Sequence, residues 1–130
     1  MLVMAFDYGH RRIGVAVGQP VTGSASPIAV LPTRDGAPDW QAITALIGEW
    51  RPERLLVGVP RPADGKESEL VRRVRRFCRQ LEGRYRLPVA TVDEHLSSWA
   101  AAERTGSRDE PLDAAAAQVI LETWLNEEHP

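Results

Sequence analysis

The chain has 130 residues, of which 43% are hydrophobic and 26% charged, and its formal net charge is −2 at pH 7. This length and composition predict a single globular domain over residues 1–130, without a signal peptide or a membrane-spanning segment. The single cysteine, Cys78, excludes an internal disulfide and a cysteine-rich zinc site, and a cytoplasmic protein is expected.

The first predicted element is a strand over residues 2–9, which begins with five consecutive apolar residues and is therefore expected to be buried on both faces. Asp7 follows this apolar run, and functional sites in α/β sheets are built at the carboxyl ends of strands. A carboxylate beside a buried strand needs a cation or several donors to offset its desolvation. Asp7 is therefore the first candidate site residue, with a cap of the following turn as the structural alternative.

Hydrophobic periodicity divides the rest of the chain into strands with an apolar run and helices with an apolar stripe. In order, these are strands over 13–17 and 26–31, a helix over 40–50, a strand over 55–59, a helix over 67–84, a strand over 88–92, and helices over 97–104 and 111–126. The turn 9–12 forms a hairpin in which Gly9 can take a positive φ. Asp39 is a predicted N-cap, and all four tryptophans are predicted to lie in the core. This order predicts an α/β fold.

Charge is unevenly distributed along the chain. Residues 67–86 contain seven arginines and three glutamates, whereas residues 109–130 contain six acids and no lysine or arginine. On the helix over 67–84 the arginines fall opposite the apolar stripe, at about 100° per residue. Such a face is more often plain solvent-exposed surface than a nucleic-acid site, and both interpretations stay open.

Three carboxylates come at the ends of predicted elements: Asp7, Glu94 after the fifth strand, and Asp113 at the start of the last helix. The small residues 114–117 would let that helix approach the sheet closely. Oxygen donors without a converging Cys/His set suit Mg²⁺ or Mn²⁺, which serve phosphoryl chemistry, commonly as a pair of ions. As structural alternatives, Glu94 and Asp113 would each be first-turn acids stabilised by a helix dipole.

These residues fall in motifs that resemble those of the YqgF (RuvX-like) family. Phe6-Asp7-Tyr8-Gly9 with residues 11–17 resembles the opening motif, and Val57-Gly58-Val59-Pro60 with Asp64-Gly65 resembles a second. Residues 93–104 and 112–125 resemble the third and the closing motifs. The resemblance runs in order from about residue 2 to residue 125, and it implies an RNase H-like domain: a five-stranded mixed sheet, with strand two antiparallel, flanked by helices.

The resemblance also implies a divalent-metal-dependent nuclease that matures the 5′ end of precursor 16S rRNA, with Asp7, Glu94 and Asp113 as the metal-binding catalytic acids. Two Mg²⁺ or Mn²⁺ ions are expected. The alternative substrate is a branched DNA, the Holliday junction, and the alternative of another class is a non-catalytic nucleic-acid-binding or ribosome-assembly module. A homodimer stays open, and no membrane partner is expected.

Four further positions are predicted to contact nucleic acid. Arg11 and Arg12, on the turn after Asp7, would clamp a phosphate near the scissile bond, and Gly9 and Gly58 would let the backbone of the nucleic acid come close. The chain departs from the family's usual residues at Gly18-Gln19, at His95, at Ser98 and in the loop 108–110. These departures spare the three acids but alter the expected contact surface.

Overall fold

The computed structural model describes residues 1–59, 69–93 and 110–128, with side chains throughout except at 110–114, 127 and 128. In chain order the elements are β1 (Val3–Tyr8), β2 (Arg12–Gln19), β3 (Ser24–Pro32), α1 (Trp40–Trp50), β4 (Arg54–Val59), α2 (Glu69–Tyr85), β5 (Val89–Asp93) and α3 (Glu110–Glu128). The predicted helix over 97–104 lies outside the described residues. None of the helices in the described ranges is long and apolar enough to cross a membrane.

The five strands form one mixed sheet in the order β3-β2-β1-β4-β5. β2 is antiparallel to both of its neighbours, whereas β1, β4 and β5 run parallel to one another. The predicted fold class is therefore confirmed. β3 is an edge strand, a position that tolerates Pro27, which has no N–H to donate, and its register with β2 shifts between Val15 and Ala16, where Ile28 has no partner in the register.

Strand β1 divides the core into two layers because its side chains alternate between the faces of the sheet. Met4, Phe6 and Tyr8 pack in one apolar cluster with residues of α1 and α2. Val3 and Ala5 pack in a second cluster with α3. The sheet is thus covered on both faces, as the uninterrupted apolar run of β1 predicts.

Helix α1 has clear caps. The backbone N–H of Ala42 donates to the Asp39 carboxylate at 3.1 Å, which confirms the predicted N-cap. At the other end, Arg51 takes a left-handed conformation with φ 51°, and its N–H donates to the carbonyl of Ile47 at 2.8 Å. Trp50 lies at this end with 38% of its surface exposed, so the prediction that all four tryptophans lie in the core is wrong.

The other tryptophans differ in their surroundings. Trp124 is buried and Trp40 is half-buried, whereas Trp99 lies outside the described residues. Trp50 is the last residue of α1, and the chain changes direction at the next residue, Arg51. Trp50 is therefore not fully covered by the core.

The prediction of a positive φ at Gly9 is also wrong, since in the described chain only Gly23 and Gly36 among the glycines have one. Gly9 is required for a different reason. A Cβ there would lie 2.8 Å from the carbonyl oxygen of Arg12, so any side chain would prevent the turn from closing. The constraint is a close approach of backbone atoms rather than an unusual backbone angle.

Candidate active site

Asp7 lies near the carboxyl end of β1, on the face of the sheet that α3 covers. It is half-buried, and its partner on β2 is Gly14. On the other side, the last pair between β1 and β4 is Phe6 with Val57. Continuing this parallel register by one residue places Gly58 beside Asp7. Neither flanking position carries a side chain, so the two residues beside Asp7 in the sheet contribute only backbone.

For the other two acids the structure gives less. Glu94 can be located only from the strand that precedes it, and Asp113 only from its backbone. Glu94 directly follows the last residue of β5, which is parallel to β1, but Glu94 itself lies outside the described residues. The backbone of Asp113 is in the first turn of α3. One turn later Ala117 is fully buried in the same cluster as Ala5, which is two residues before Asp7 on the same face.

The structure thus places Asp7 and the start of α3 on one face, and β1 and β5 end at one edge. Within the described residues no group of three or more His, Cys, Asp or Glu side chains could hold a metal ion. Asp7 is the one member of the predicted triad whose side chain is described. The triad itself stays a prediction.

The turn after Asp7 carries the two predicted phosphate-binding arginines. Arg11 is exposed and Arg12, the first residue of β2, is half-buried. Strand alternation puts Arg12 on the same face as Gly14, and therefore on the face of Asp7. The backbone N–H of Thr33 donates to the carbonyl of Arg11 at 2.9 Å, and the Thr33 hydroxyl donates to the carbonyl of His10. The end of β3 therefore fixes this turn.

The predicted glycines differ in accessibility. Gly9 is partly exposed at the start of the turn, whereas Gly58 is buried inside the sheet, paired with Val92 of β5. Gly58 nevertheless lies on the same face of the sheet as Asp7. Strand alternation places Gly58 on the face of Leu56, which packs with Ala5, and places Val57 on the other face. Contact with nucleic acid stays a prediction for both.

Sequence reasoning did not find a cleft on the opposite face of the sheet, which we call the arginine cleft. It has a volume of about 810 Å³ and lies between α2 and the loop 35–38, with Tyr8 on its floor. Its basic wall consists of Arg72, Arg73, Arg75, Arg76 and Arg79. The sequence shows these arginines, but the loop that completes the cleft is brought there only by the tertiary fold.

The loop is held in place by a contact to β1, and α2 in turn contacts the turn 9–12. The Tyr8 hydroxyl donates to the carbonyl of Gly36, which has a φ of 84°. This positive φ favours glycine, and a Cβ at Gly36 would in addition lie 2.8 Å from Nη1 of Arg73, whose side chain would have to shift. Nη1 of Arg73 is also 2.9 Å from Nδ1 of His10, and Nη2 donates to Glu69 at 3.1 Å. This network joins the turn 9–12 to α2.

The sole cysteine has no part in either site. Cys78 lies on α2, and desolvation by burial raises the pKa of its thiol to about 11. The thiol is therefore neutral at physiological pH, which is typical of a packing residue rather than of a nucleophile or metal ligand.

Solved structures with the same architecture define the class of fold. A structure described as Thermus thermophilus RuvC in complex with Holliday junction substrate superimposes with a TM-score of 0.62 at 16% identity, over 98% of this chain and 95% of that one. The fowlpox virus Holliday junction resolvase gives a TM-score of 0.59 at 10% identity, over 98% of this chain and 99% of that one. The fold is therefore the RNase H-like fold of the resolvases.

Sequence relatives identify the family. The model of the RuvX family, described as Holliday junction resolvase, matches residues 1–127. A protein of Pseudomonas aeruginosa named "Putative pre-16S rRNA nuclease" is 48% identical, over 99% of this chain and 94% of that one. A protein of the same name from Chromohalobacter salexigens is 50% identical, over 95% of this chain and 88% of that one. This chain belongs to the RuvX family, as its motifs predicted.

Proposed function

We propose that this protein is a divalent-metal-dependent nuclease that matures the 5′ end of precursor 16S rRNA in the cytoplasm. The observation that carries the proposal is the position of Asp7, half-buried near the end of the central strand and on the face covered by α3, the helix whose first turn contains Asp113. Membership of the RuvX family and the name of the relatives support nuclease chemistry and an RNA substrate.

The residues at this edge of the sheet fit a hard divalent cation. Asp7 supplies carboxylate oxygen, the ligand type that Mg²⁺ and Mn²⁺ prefer, and the glycines on both sides of it leave room for ligands. Asp7, Glu94 and Asp113 would hold the ions. When bound, a pair of ions supplies positive charge that favours deprotonation of water and stabilises the oxygen that leaves.

The protein's own groups would position the substrate. Arg12, on the face of Asp7, is placed to bind a phosphate next to the scissile bond, and Arg11 would bind a phosphate on the outer side of the same turn. The arginine guanidinium suits this role because its planar fork matches two phosphate oxygens. Gly9 and Gly58 would keep the approach to Asp7 free of side chains.

A second candidate is resolution of Holliday junctions, and the description of the family model favours it. A junction has two strands to cut at symmetric positions, so this function requires two active sites in a stable homodimer. An oligomeric state that does not depend on concentration would support it. A non-catalytic binding module is the remaining candidate, and it requires no contribution of the three acids beyond folding.

The deciding experiment compares cleavage of precursor 16S rRNA ends and of four-way DNA junctions by the same preparation, with Mn²⁺, with Mg²⁺ and with EDTA. Asp7→Asn is the test variant and Asp39→Asn is its matched control, because asparagine caps a helix about as well as aspartate. We expect metal-dependent cleavage of the RNA by the wild type and by Asp39→Asn, and none by Asp7→Asn. Equal cleavage by all three would contradict the proposal.

A further inference from the structure

The arginine cleft is strongly basic, because five arginines and only two acids, Asp35 and Glu69, line it, and it lies on the face of the sheet opposite to Asp7. Helix α2 carries six arginines and two glutamates, in a chain whose formal net charge is −2. The arginines of its basic wall are exposed, except for the partly exposed Arg73. A concave surface with this concentration of positive charge attracts and holds anions.

The spacing of the arginines matches an extended anion rather than a single phosphate. Arg72, Arg76 and Arg79 follow each other at one-turn intervals, which are about 6 Å and about 4.5 Å along the helix axis. This spacing is of the same order as that between neighbouring phosphates in a nucleic-acid strand. Each guanidinium can bind two oxygens of one phosphate. The row can therefore follow a strand over several nucleotides.

The aromatic rings around the cleft are not available for base stacking. Phe77 is 1% exposed and Tyr8 is 7% exposed. Trp40 stacks on Phe77 with ring centroids 5.7 Å apart, and the guanidinium of Arg84 lies 4.2 Å from its centroid. Binding through stacked bases requires open ring faces. The cleft is therefore suited to the phosphate backbone and not to reading the bases.

The cleft is connected to the edge of the sheet where Asp7 lies. Tyr8, on its floor, directly follows Asp7, and the two side chains point to opposite faces of β1. His10 of the turn 9–12 contacts Arg73 of the cleft wall at 2.9 Å. A nucleic-acid strand that passes over this turn can thus reach Asp7 on one face and the arginines on the other.

We propose that the arginine cleft binds the phosphate backbone of the substrate in the segment that flanks the cleavage position, independently of base sequence. The proposal rests on the proposed nuclease function for the identity of the nucleic acid. It assigns α2 a role in affinity and positioning, while the chemistry takes place at the acids. The expected ligand is single-stranded or duplex RNA extending beyond the scissile bond.

The test uses a double variant and a matched control. Arg72→Gln with Arg76→Gln removes two charges from the cleft at exposed helical positions, where glutamine is well tolerated. Arg51→Gln with Arg86→Gln removes two exposed arginines that follow α1 and α2 and do not line the cleft. Binding is measured in EDTA with a labelled RNA hairpin carrying single-stranded flanks, over a range of salt concentrations.

Loss of two phosphate contacts should reduce the slope of log affinity against log salt by about 1.4–1.8. The ratio of wild-type to variant affinity should accordingly shrink about tenfold between about 50 and about 200 mM salt. The control pair should keep the wild-type slope. If the glutamine variant does not fold, Arg72→Lys with Arg76→Lys keeps both charges, and it should weaken binding with an unchanged slope because only the bidentate fork is lost.

Wild-type affinity and slope in the Arg72/Arg76 variant would overturn the proposal. So would a wild-type dimer that this variant dissociates without changing RNA affinity, because the cleft would then hold a second copy of the chain. Failure of the nuclease proposal looks different, since it appears as absent metal-dependent cleavage by the wild type. Binding in EDTA still decides the role of the cleft in that case.

Discussion

Gly18 is the position where a single added carbon should do most harm to the fold. It lies in β2, paired with Ala25 of β3 and covered by α3. A Cβ there would lie 2.3 Å from the carbonyl oxygen of Ser24 and 3.0 Å from a methyl group of Leu121. This carbonyl belongs to the backbone of the neighbouring strand. To remove the overlap, β3 would have to move by about 1 Å.

The expected cost of Gly18→Ala follows from this overlap. Forcing a methyl group into a packed core costs about 1–3 kcal/mol, and the upper end applies because backbone must move. For a domain of this size about 3 kcal/mol corresponds to a fall in Tm on the order of 10 °C. Gly18→Ser should cost at least as much, because it adds the same Cβ and a hydroxyl group.

Thermal melts of matched glycine variants measure this effect. Gly48→Ala and Gly83→Ala are the controls, because each lies in a helix with no atom within 4 Å of an added Cβ. Each control should raise the free energy of unfolding by up to about 1 kcal/mol, since alanine favours the helix. A Gly18→Ala protein that melts at or above the wild-type temperature would refute the close approach of β2 and β3.

Three more variants test the site and the caps. Asp7→Asn should abolish metal-dependent cleavage and leave the metal-free protein at least as stable, because the three carboxylates of the predicted triad would repel each other; retained cleavage with a lower Tm in EDTA would identify Asp7 as a turn cap. Arg12→Ala should weaken RNA binding and reduce its salt slope by about 1, and unchanged cleavage by a folded variant would count against its role. Asp39→Ala should cost about 1 kcal/mol of stability through loss of the N-cap of α1, measured by urea denaturation, whereas Asp39→Asn should cost almost nothing.

The sequence predicts the strands well because their signals are local, whereas the mixed sheet was implied by the resemblance to the family. The apolar run of β1 has no polar face, and the structure buries it under helices on both sides. The predicted cap Asp39 is confirmed, and it could be predicted because its carboxylate accepts a hydrogen bond from an N–H only three residues later. The same local logic fails at Gly9, where the need for glycine comes from a carbonyl across the turn.

Features that depend on distant contacts could not be predicted. Trp50 has the spacing of a core residue, yet it ends its helix where no neighbour covers it fully. The arginine cleft requires the loop 35–38 to fold against Tyr8, which is 28 residues away from Gly36. At the candidate site, the position of Asp7 on its strand is confirmed by the sheet, while its grouping with Glu94 and Asp113 stays a prediction.

Among the described residues, α2 and α3, which cover the sheet from opposite sides, carry opposite net charges. Helix α2 carries four more arginines than glutamates, whereas α3 carries five acidic residues and no basic one. Because the sheet separates these helices, their charges contribute a dipole that points across it. An approaching polyanion experiences a torque that turns the arginine side towards it before contact, so encounters should be productive more often than chance at low ionic strength. The three acids predicted to hold the metal ions would then meet the nucleic acid after the arginines have neutralised part of its charge.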